Sequence, residues 1–227
     1  MRRRFTERNL AVSPEGDRVS KEELEYERTI YAHDLVPVYG ERLSYFIAGP
    51  PGCGKSTTAA QILSFFPHMP IYLFSDLDSD RAFDGIPHRK MKMDATLLTE
   101  LKPEMLCAKS SCWVVFDDVD KIRDPKTSKA LVSLMDNIIA NGRSHGSHTI
   151  NVIATSHSLS DYRKTKYMIE NCEYWVIFPS KTISSQLKRL LSKMDLDSSE
   201  IKKYDRCFIH QSVPSFLVTD DFITLLD

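Results

Sequence analysis

The sequence has no apolar run approaching the roughly 18 residues of a membrane-spanning helix, and its first residues, MRRRFTERN, carry no apolar stretch of the secretory kind. Both absences lead to the expectation of a soluble intracellular protein. Disulfide chemistry is missing too. The five cysteines are odd in number and none is spaced C-x-x-C, which argues against a disulfide framework and against a zinc site. Neither sign of charge is in excess: Lys and Arg total 30 against 31 Asp and Glu, a formal net charge of −1. A uniformly basic nucleic-acid coat protein is thereby excluded, whereas a local basic patch is not. Internal repeats and low-complexity segments are also lacking. What is present, 227 residues at 42% hydrophobic and 27% charged, is enough chain to bury a core without covalent staples.

The pattern along the chain divides into an arm (1–40) and a domain (41–227). The arm carries a basic tip of Arg2, Arg3, Arg4 and Arg8, then a capping box of Ser20 and Glu23 that opens a charged helix around Lys21–Tyr31. It reads either as a flexible terminus or as an arm packed on a neighbouring subunit. From residue 43, short apolar runs alternate with helical stretches: Leu43–Ala48, Ile71–Ser75, Trp113–Phe116, Ile150–Thr155 and Tyr174–Phe178. Strands so continuously apolar are buried on both faces, as in a parallel sheet covered by helices. Leu131, Leu134, Met135, Ile138 and Ile139 recur at helical spacing before a C-cap at Asn141-Gly142. A doubly wound α/β sandwich with a mainly parallel sheet is the expected fold. Beyond Phe178, a basic amphipathic helix is expected near Ile183–Met194, and Arg206–His210 with Phe216–Thr219 reads as a terminal hairpin around Ser212-Val213-Pro214.

The strongest local signal is Gly49-Pro50-Pro51-Gly52-Cys53-Gly54-Lys55-Ser56, the pattern G-x-x-x-x-G-K-S. It follows the strand LSYFIA directly and opens a helix expected over Ser56–Phe66. Glycines let backbone N–H groups curl around phosphate oxygens, and a helix N-terminus adds its positive dipole end. Residues Gly49 through Thr57 are therefore the expected nucleotide-binding set. Lys55 is expected to reach the β- and γ-phosphates of ATP, and Ser56 to place its hydroxyl on Mg²⁺. Cys53 reads as a small filler whose backbone serves the phosphates.

Trp113-Val114-Val115-Phe116 ends in Asp117 and Asp118, a buried strand terminating in two acids. One carboxylate at such a place holds the metal shell and a second polarises the attacking water, so Asp117 is read as a metal ligand and Asp118 as the catalytic base. The bland alternative for Asp118 is a helix cap, and Asp120 reads as a surface or capping residue. At the end of the run INVIAT, Thr155, Ser156 and His157 are candidates to sense the γ-phosphate, with His157 either direct in its role or merely a satisfied polar residue. Arg143, just past the expected C-cap, is placed to act as an arginine finger on a neighbour's nucleotide or simply to complement the helix dipole. Arg163 is its weaker rival. These residues by themselves support a water-activating P-loop ATPase.

Taken in succession, GPPGCGKS, IYLFSDLDSDRAF, VVFDDVD, LMDNIIANGRSHGSHTINVIATSHS and IENCEYWVIFPS resemble the DNA-packaging ATPases of large double-stranded DNA viruses, the poxvirus-type branch of the FtsK/HerA superfamily. The resemblance spans roughly residues 43–220. It implies a RecA/FtsK-like P-loop fold of the additional-strand type and a motor, assembled as a homo-oligomeric ring, that moves genomic double-stranded DNA into a preformed capsid. A capsid or portal-vertex protein is the implied partner, and the host cytoplasm or viral assembly site, with association to the virion, the implied location. The family's phosphate-loop Lys, its two acids and the Arg after its long helix carry over to Lys55, Asp117, Asp118 and Arg143. Many relatives end the third motif in Gln, where this chain has His157.

Two other readings compete. One is a different additional-strand ATPase, such as an AAA+-like loader or helicase, which a C-terminal helical lid with a sensor Arg would favour. The other is a nucleotide-binding scaffold subunit, against which the intact Lys55, Ser56, Asp117 and Asp118 speak. Candidate DNA contacts are the helix bearing Lys181, Lys188, Arg189 and Lys193, and the loop with Arg163, Lys164 and Lys166. Either is equally read as a solvated face.

Overall fold

A computed structural model describes residues 42–141, 148–159, 165–178, 215–218 and 223–226. Within them the chain builds one sheet from strands β1 (Ser44–Ala48), β2 (Ile71–Phe74), β3 (Arg89–Met91), β4 (Cys112–Phe116), β5 (Ile150–Ser156), β6 (Tyr174–Ile177), β7 (Ser215–Val218) and β8 (Ile223–Leu226). The helices are α1 (Lys55–Leu63), α2 (Ala95–Glu100), α3 (Pro103–Leu106), α4 (Pro125–Asn141) and α5 (Lys166–Asn171). Strand order is β3-β2-β4-β5-β1-β6-β7-β8. The first six are parallel, and β7 and β8 run antiparallel at one edge. β5 lies between β1 and β4, which is the additional-strand arrangement of P-loop ATPases.

Residues alternate in the way that a doubly covered sheet requires. Tyr45 and Ile47 of β1 join Val115, Ile153 and the α1 residues Ala59, Ile62 and Leu63 on one face. Phe46 and Ala48 join Val114, Phe116, Val152 and the α4 residues Leu131, Leu134, Met135 and Ile138 on the other. Burial on both sides is the physical reason these strands read as unbroken apolar runs. The five expected strands agree with β1, β2, β4, β5 and β6 to within a residue at each end.

Three differences have local causes. β3 escaped the sequence reading because it is three residues long, at the sheet edge, with Arg89 and Lys90 exposed and no apolar run to mark it. Helix α1 begins at Lys55 and stops at Leu63 rather than Phe66, with Phe65 and Phe66 closing i→i−3 turns ahead of Pro67, which disfavours helix in the residue before it. The terminal hairpin is also corrected. β7 pairs with β8, Val218 opposite Ile223, instead of with 206–210. Asp220-Asp221 between those strands supplies turn formers, and 206–210 lies outside the described residues. So do the arm at 1–41 and the basic stretch around 183–194.

One buried cation ties the layers together. Arg42, only 7% exposed, donates from its guanidinium to the carbonyls of Ile138 (3.1 Å) and Ile139 (2.6 Å) in the last turn of α4, and to Ile150 (3.0 Å) at the start of β5. The last turn of a helix leaves its carbonyls without intrahelical partners and carries the negative dipole end, so a guanidinium is the apt cap. Asn151 adds to this joint by accepting from the Leu43 N–H at 2.9 Å. Arg42→Ala should lower unfolding free energy by about 3 kcal/mol in urea titration, because three buried carbonyls lose their donor. Arg42→Lys should recover only part of that, since an ammonium lacks the guanidinium fork.

Candidate functional site

The site is assembled at the C-terminal ends of β1, β4 and β5. The phosphate loop leaves β1 at Gly49, whose N–H donates to the Ser156 carbonyl at 3.0 Å, so the end of β5 fixes where the loop starts. Gly52 (φ 76°) and Gly54 (φ 107°) take left-handed backbone that side-chain-bearing residues resist, and Gly54 is the N-cap of α1. Gly49 is required for another reason. A Cβ there would stand 2.5 Å from Phe178 Cβ and 2.6 Å from Cys53 Sγ. Phe178, just past β6, thus backs the loop, a packing role that no spacing rule reveals.

Lys55 is buried, 6% exposed, and its ammonium donates to the carbonyls of Gly49 (3.0 Å) and Pro50 (3.2 Å). A buried ammonium needs acceptors, and here the loop itself supplies them. Ser56 is half-buried and Thr57 exposed in the first turn of α1, where N–H groups have no intrahelical acceptor. The Cys53 thiol is pushed up by burial, against the lowering influence of Lys55, which keeps it protonated.

The two acids differ sharply. Asp117 is buried; its Oδ1 accepts from the Thr155 hydroxyl at 2.8 Å and its Oδ2 from the Ser75 hydroxyl at 3.2 Å. Burial raises its carboxyl above the ordinary range, with Asp118 and Asp80 adding to the rise and the two hydroxyls opposing it. Asp118 takes φ 52°, unusual for a non-glycine residue, and donates its N–H to the Thr155 hydroxyl oxygen at 2.8 Å. Its Oδ2 meets the Lys121 ammonium at 2.8 Å and its Oδ1 the His157 Nδ1 at 3.3 Å. Asp118 does not cap α4. Asp124 does, accepting from the N–H and hydroxyl of Thr127, each at 2.7 Å.

β5 lies beside β1, the placement that a γ-phosphate role for Thr155 or Ser156 requires. The Thr155 hydroxyl is fully buried and committed to both acids, while the Ser156 hydroxyl closes a local turn with Ser158. His157 turns toward the loop after β4, where Asp120 accepts from its backbone N–H at 3.0 Å and lies 3.4 Å from its Nδ1. Asp120 is therefore more than a surface residue. Ser75, Asp120 and Lys121 were missed as members of this group, because only the sheet order brings them to it. Arg143, Arg163 and Lys164 lie outside the described residues, as do Lys181, Lys188, Arg189 and Lys193.

A family model described as "AAA domain (dynein-related subfamily)" matches residues 44–172, more than half of the chain. No curated protein matches it. Among solved structures, the monomer form of the pCW3 conjugation coupling protein TcpA with ATPγS aligns with a TM-score of 0.55 at 12% identity, over 82% of this chain and 60% of that one. The present chain thus spans somewhat less than two thirds of that TcpA chain. The DNA-packaging ATPase B204 from Sulfolobus turreted icosahedral virus aligns with a TM-score of 0.53 at 12% identity, over 81% of this chain and 96% of its own. Likeness at such identity establishes a common fold.

The raised carboxyl of Asp117 makes a stability prediction whose sign is fixed. An acid with its folded value raised gives stability that is full below the unfolded value and is lost as pH climbs through the folded one. Asp117→Asn escapes that loss, so the nucleotide-free variant should be more stable than the parent at neutral pH, seen as a higher Tm. The gap should open from the ordinary carboxylate range up to the raised value and then stay constant. Melting curves at a series of pH values check it.

Proposed function

This chain belongs to the AAA domain family, in its dynein-related subfamily, and from that premise we propose that it is an ATP-hydrolysing motor that drives double-stranded viral DNA into a preformed capsid. The observation that carries the ATPase reading is the meeting of an intact phosphate loop with two acids of unlike environment at one end of the sheet. Backbone N–H groups from Gly52 to Thr57 cradle the phosphates; Gly49 gives its own N–H to Ser156, and Pro50 and Pro51 have none. Lys55 exchanges two loop carbonyls for phosphate oxygens, trading one set of acceptors for another.

The donor set suits Mg²⁺: a hydroxyl at Ser56 and a buried, hydroxyl-oriented carboxylate at Asp117, both hard oxygen ligands. Bound there, the ion supplies charge neutralisation on the phosphate oxygens. Asp118 orients the attacking water and receives its proton. Arg143 reaches a neighbouring subunit's nucleotide, which makes a homo-oligomeric ring the working form.

The DNA part of the reading is supported by two likenesses of different kinds. The succession of motifs from GPPGCGKS to YWVIFPS resembles poxvirus-type packaging ATPases, and B204, which shares the fold, is a DNA-packaging ATPase. The partner at the capsid is then a portal or vertex protein, and the place of action the host cytoplasm or assembly site, with retention in the virion. An AAA-type loader or helicase is the second reading, favoured by the family model itself.

Asp118→Asn should keep ATP binding and lose hydrolysis a hundredfold or more, on the order of 3 kcal/mol, while Lys55→Ala should weaken binding as well. Equilibrium binding beside single-turnover hydrolysis checks both, and normal turnover in Asp118→Asn removes Asp118 as the base. Arg143→Ala protein should bind ATP and hydrolyse it slowly. Mixing it with Lys55→Ala protein should restore part of the rate, because a mixed ring sets an intact Arg143 against an intact phosphate loop. No gain from confirmed mixed rings assigns Arg143 to its own subunit or to structure.

A further inference from the structure

Immediately beyond the acids, residues 121–130 carry Lys121, Arg123, Lys126 and Lys129 against a single Asp124. That is four cations less one acid, +3, in a chain whose net charge is −1. All four basic side chains are exposed. Asp124 is consumed as the cap of α4, so it does little to offset them outward. Arg123 and Lys129 form no ion pair among the described residues.

Their position runs against the usual economy of a helix. Lys126 lies in the first turn of α4 and Lys129 one turn on, and that first turn holds no acid. Cations at a helix N-terminus oppose the macrodipole and reinforce its positive end. The exposed positions further along α4, Ser133, Asn137 and Ala140, are uncharged, so the cations are concentrated at the end that adjoins the site. A mere solubilising face would not be biased to the end where it lowers helix stability.

Lys121 links this strip to chemistry. Its side chain is 55% exposed, yet its ammonium contacts Asp118 Oδ2 at 2.8 Å. Such an exposed pair is weak enough to be exchanged for another anion. We propose that the Lys121–Lys129 strip grips the phosphate backbone of duplex DNA, and that Lys121 couples grip to hydrolysis by leaving Asp118 for a DNA phosphate. The proposal rests on the DNA-translocase reading above. It places the DNA contact in the loop after β4 and the start of α4, rather than in the stretches of 163–166 and 181–193. In the DNA-free protein the Lys121 ammonium occupies one oxygen of the base. Contact with DNA frees that oxygen for water.

The test uses the full-length assembled protein with random-sequence duplex DNA, measuring DNA affinity against salt and ATPase rate with and without DNA. Arg123→Ala/Lys126→Ala/Lys129→Ala should keep the DNA-free ATPase rate, weaken DNA binding at least tenfold, and flatten the log–log salt slope by about 2.7, three contacts at about 0.9 each. Lys121→Ala should behave differently: a raised DNA-free rate and less than twofold residual stimulation. Lys121→Arg should restore coupling. Should the triple alanine variant fold poorly, Lys126→Glu/Lys129→Glu on the solvated helix face gives the same readout.

Parent-like affinity and salt slope in the multiple variants overturn the strip while leaving the translocase reading intact. A Lys121→Ala protein with parent-like basal rate and stimulation overturns the coupling. A parent protein that hydrolyses ATP as a ring and ignores DNA at low salt overturns the translocase reading, and the strip with it.

Discussion

A single buried hydroxyl holds the two halves of the site in register. Thr155 has one proton to donate and gives it to Asp117; its oxygen accepts the Asp118 N–H, and its carbonyl accepts from Val119 at 3.0 Å. The metal-ligand candidate and the base candidate are consecutive in the chain, so without such a clamp their relative direction would follow whatever the loop after β4 preferred. The clamp accompanies left-handed backbone at Asp118, whose carboxylate meets Lys121 and His157 while that of Asp117 meets Thr155 and Ser75. One residue later on the same strand, the Ser156 carbonyl anchors Gly49. The end of β5 therefore sets both the phosphate loop and the acids. Its place between β1 and β4 is what the site depends on.

That dependence explains the two-sided core. β5 can hold its position only if helices press the sheet from both faces, since a strand with no polar side has no other means of choosing a register. Seven consecutive β5 residues are buried. Polar groups then emerge only where strands end, which is where ligands bind open α/β sheets. Arg42 secures the other end of the same strand, joining the start of β5 to the last turn of α4. Both ends of β5 are thus fastened by polar contacts while its middle is fastened by packing.

Features governed by local spacing could be read from the chain; features governed by strand order could not. The phosphate loop was legible because its spacing is a property of the backbone alone. Five strands were legible because burial on both faces leaves no polar residue to confuse the pattern. Thr155 reads in the sequence as a candidate γ-phosphate sensor, and nothing there shows its bonds to the two acids, since which neighbour it meets is decided by β4 lying beside β5. An arginine preceding a strand gives no sign of becoming a helix cap, because its acceptors in α4 are 96 and 97 residues away. Likewise β8 was overlooked in favour of 206–210: two apolar stretches of similar length flank turn formers on either side of β7, and propensity does not rank them.

The electrostatics of the site follow from the same crowding. Asp117 feels both Asp118 and Asp80, so three carboxylates converge where a polyphosphate must arrive. A bare polyanion is repelled by that arrangement, and the chain's own answers are local cations: Lys55 within the loop and Lys121 against Asp118. The two are held differently. Lys55 is buried, and its ammonium rests on two loop carbonyls that phosphate oxygens can replace. Lys121 is solvent-exposed, in a pair that screening already weakens. A buried cation fixed by the fold and an exposed one free to exchange are suited to different tasks, the first to hold the substrate and the second to respond to what lies outside the site.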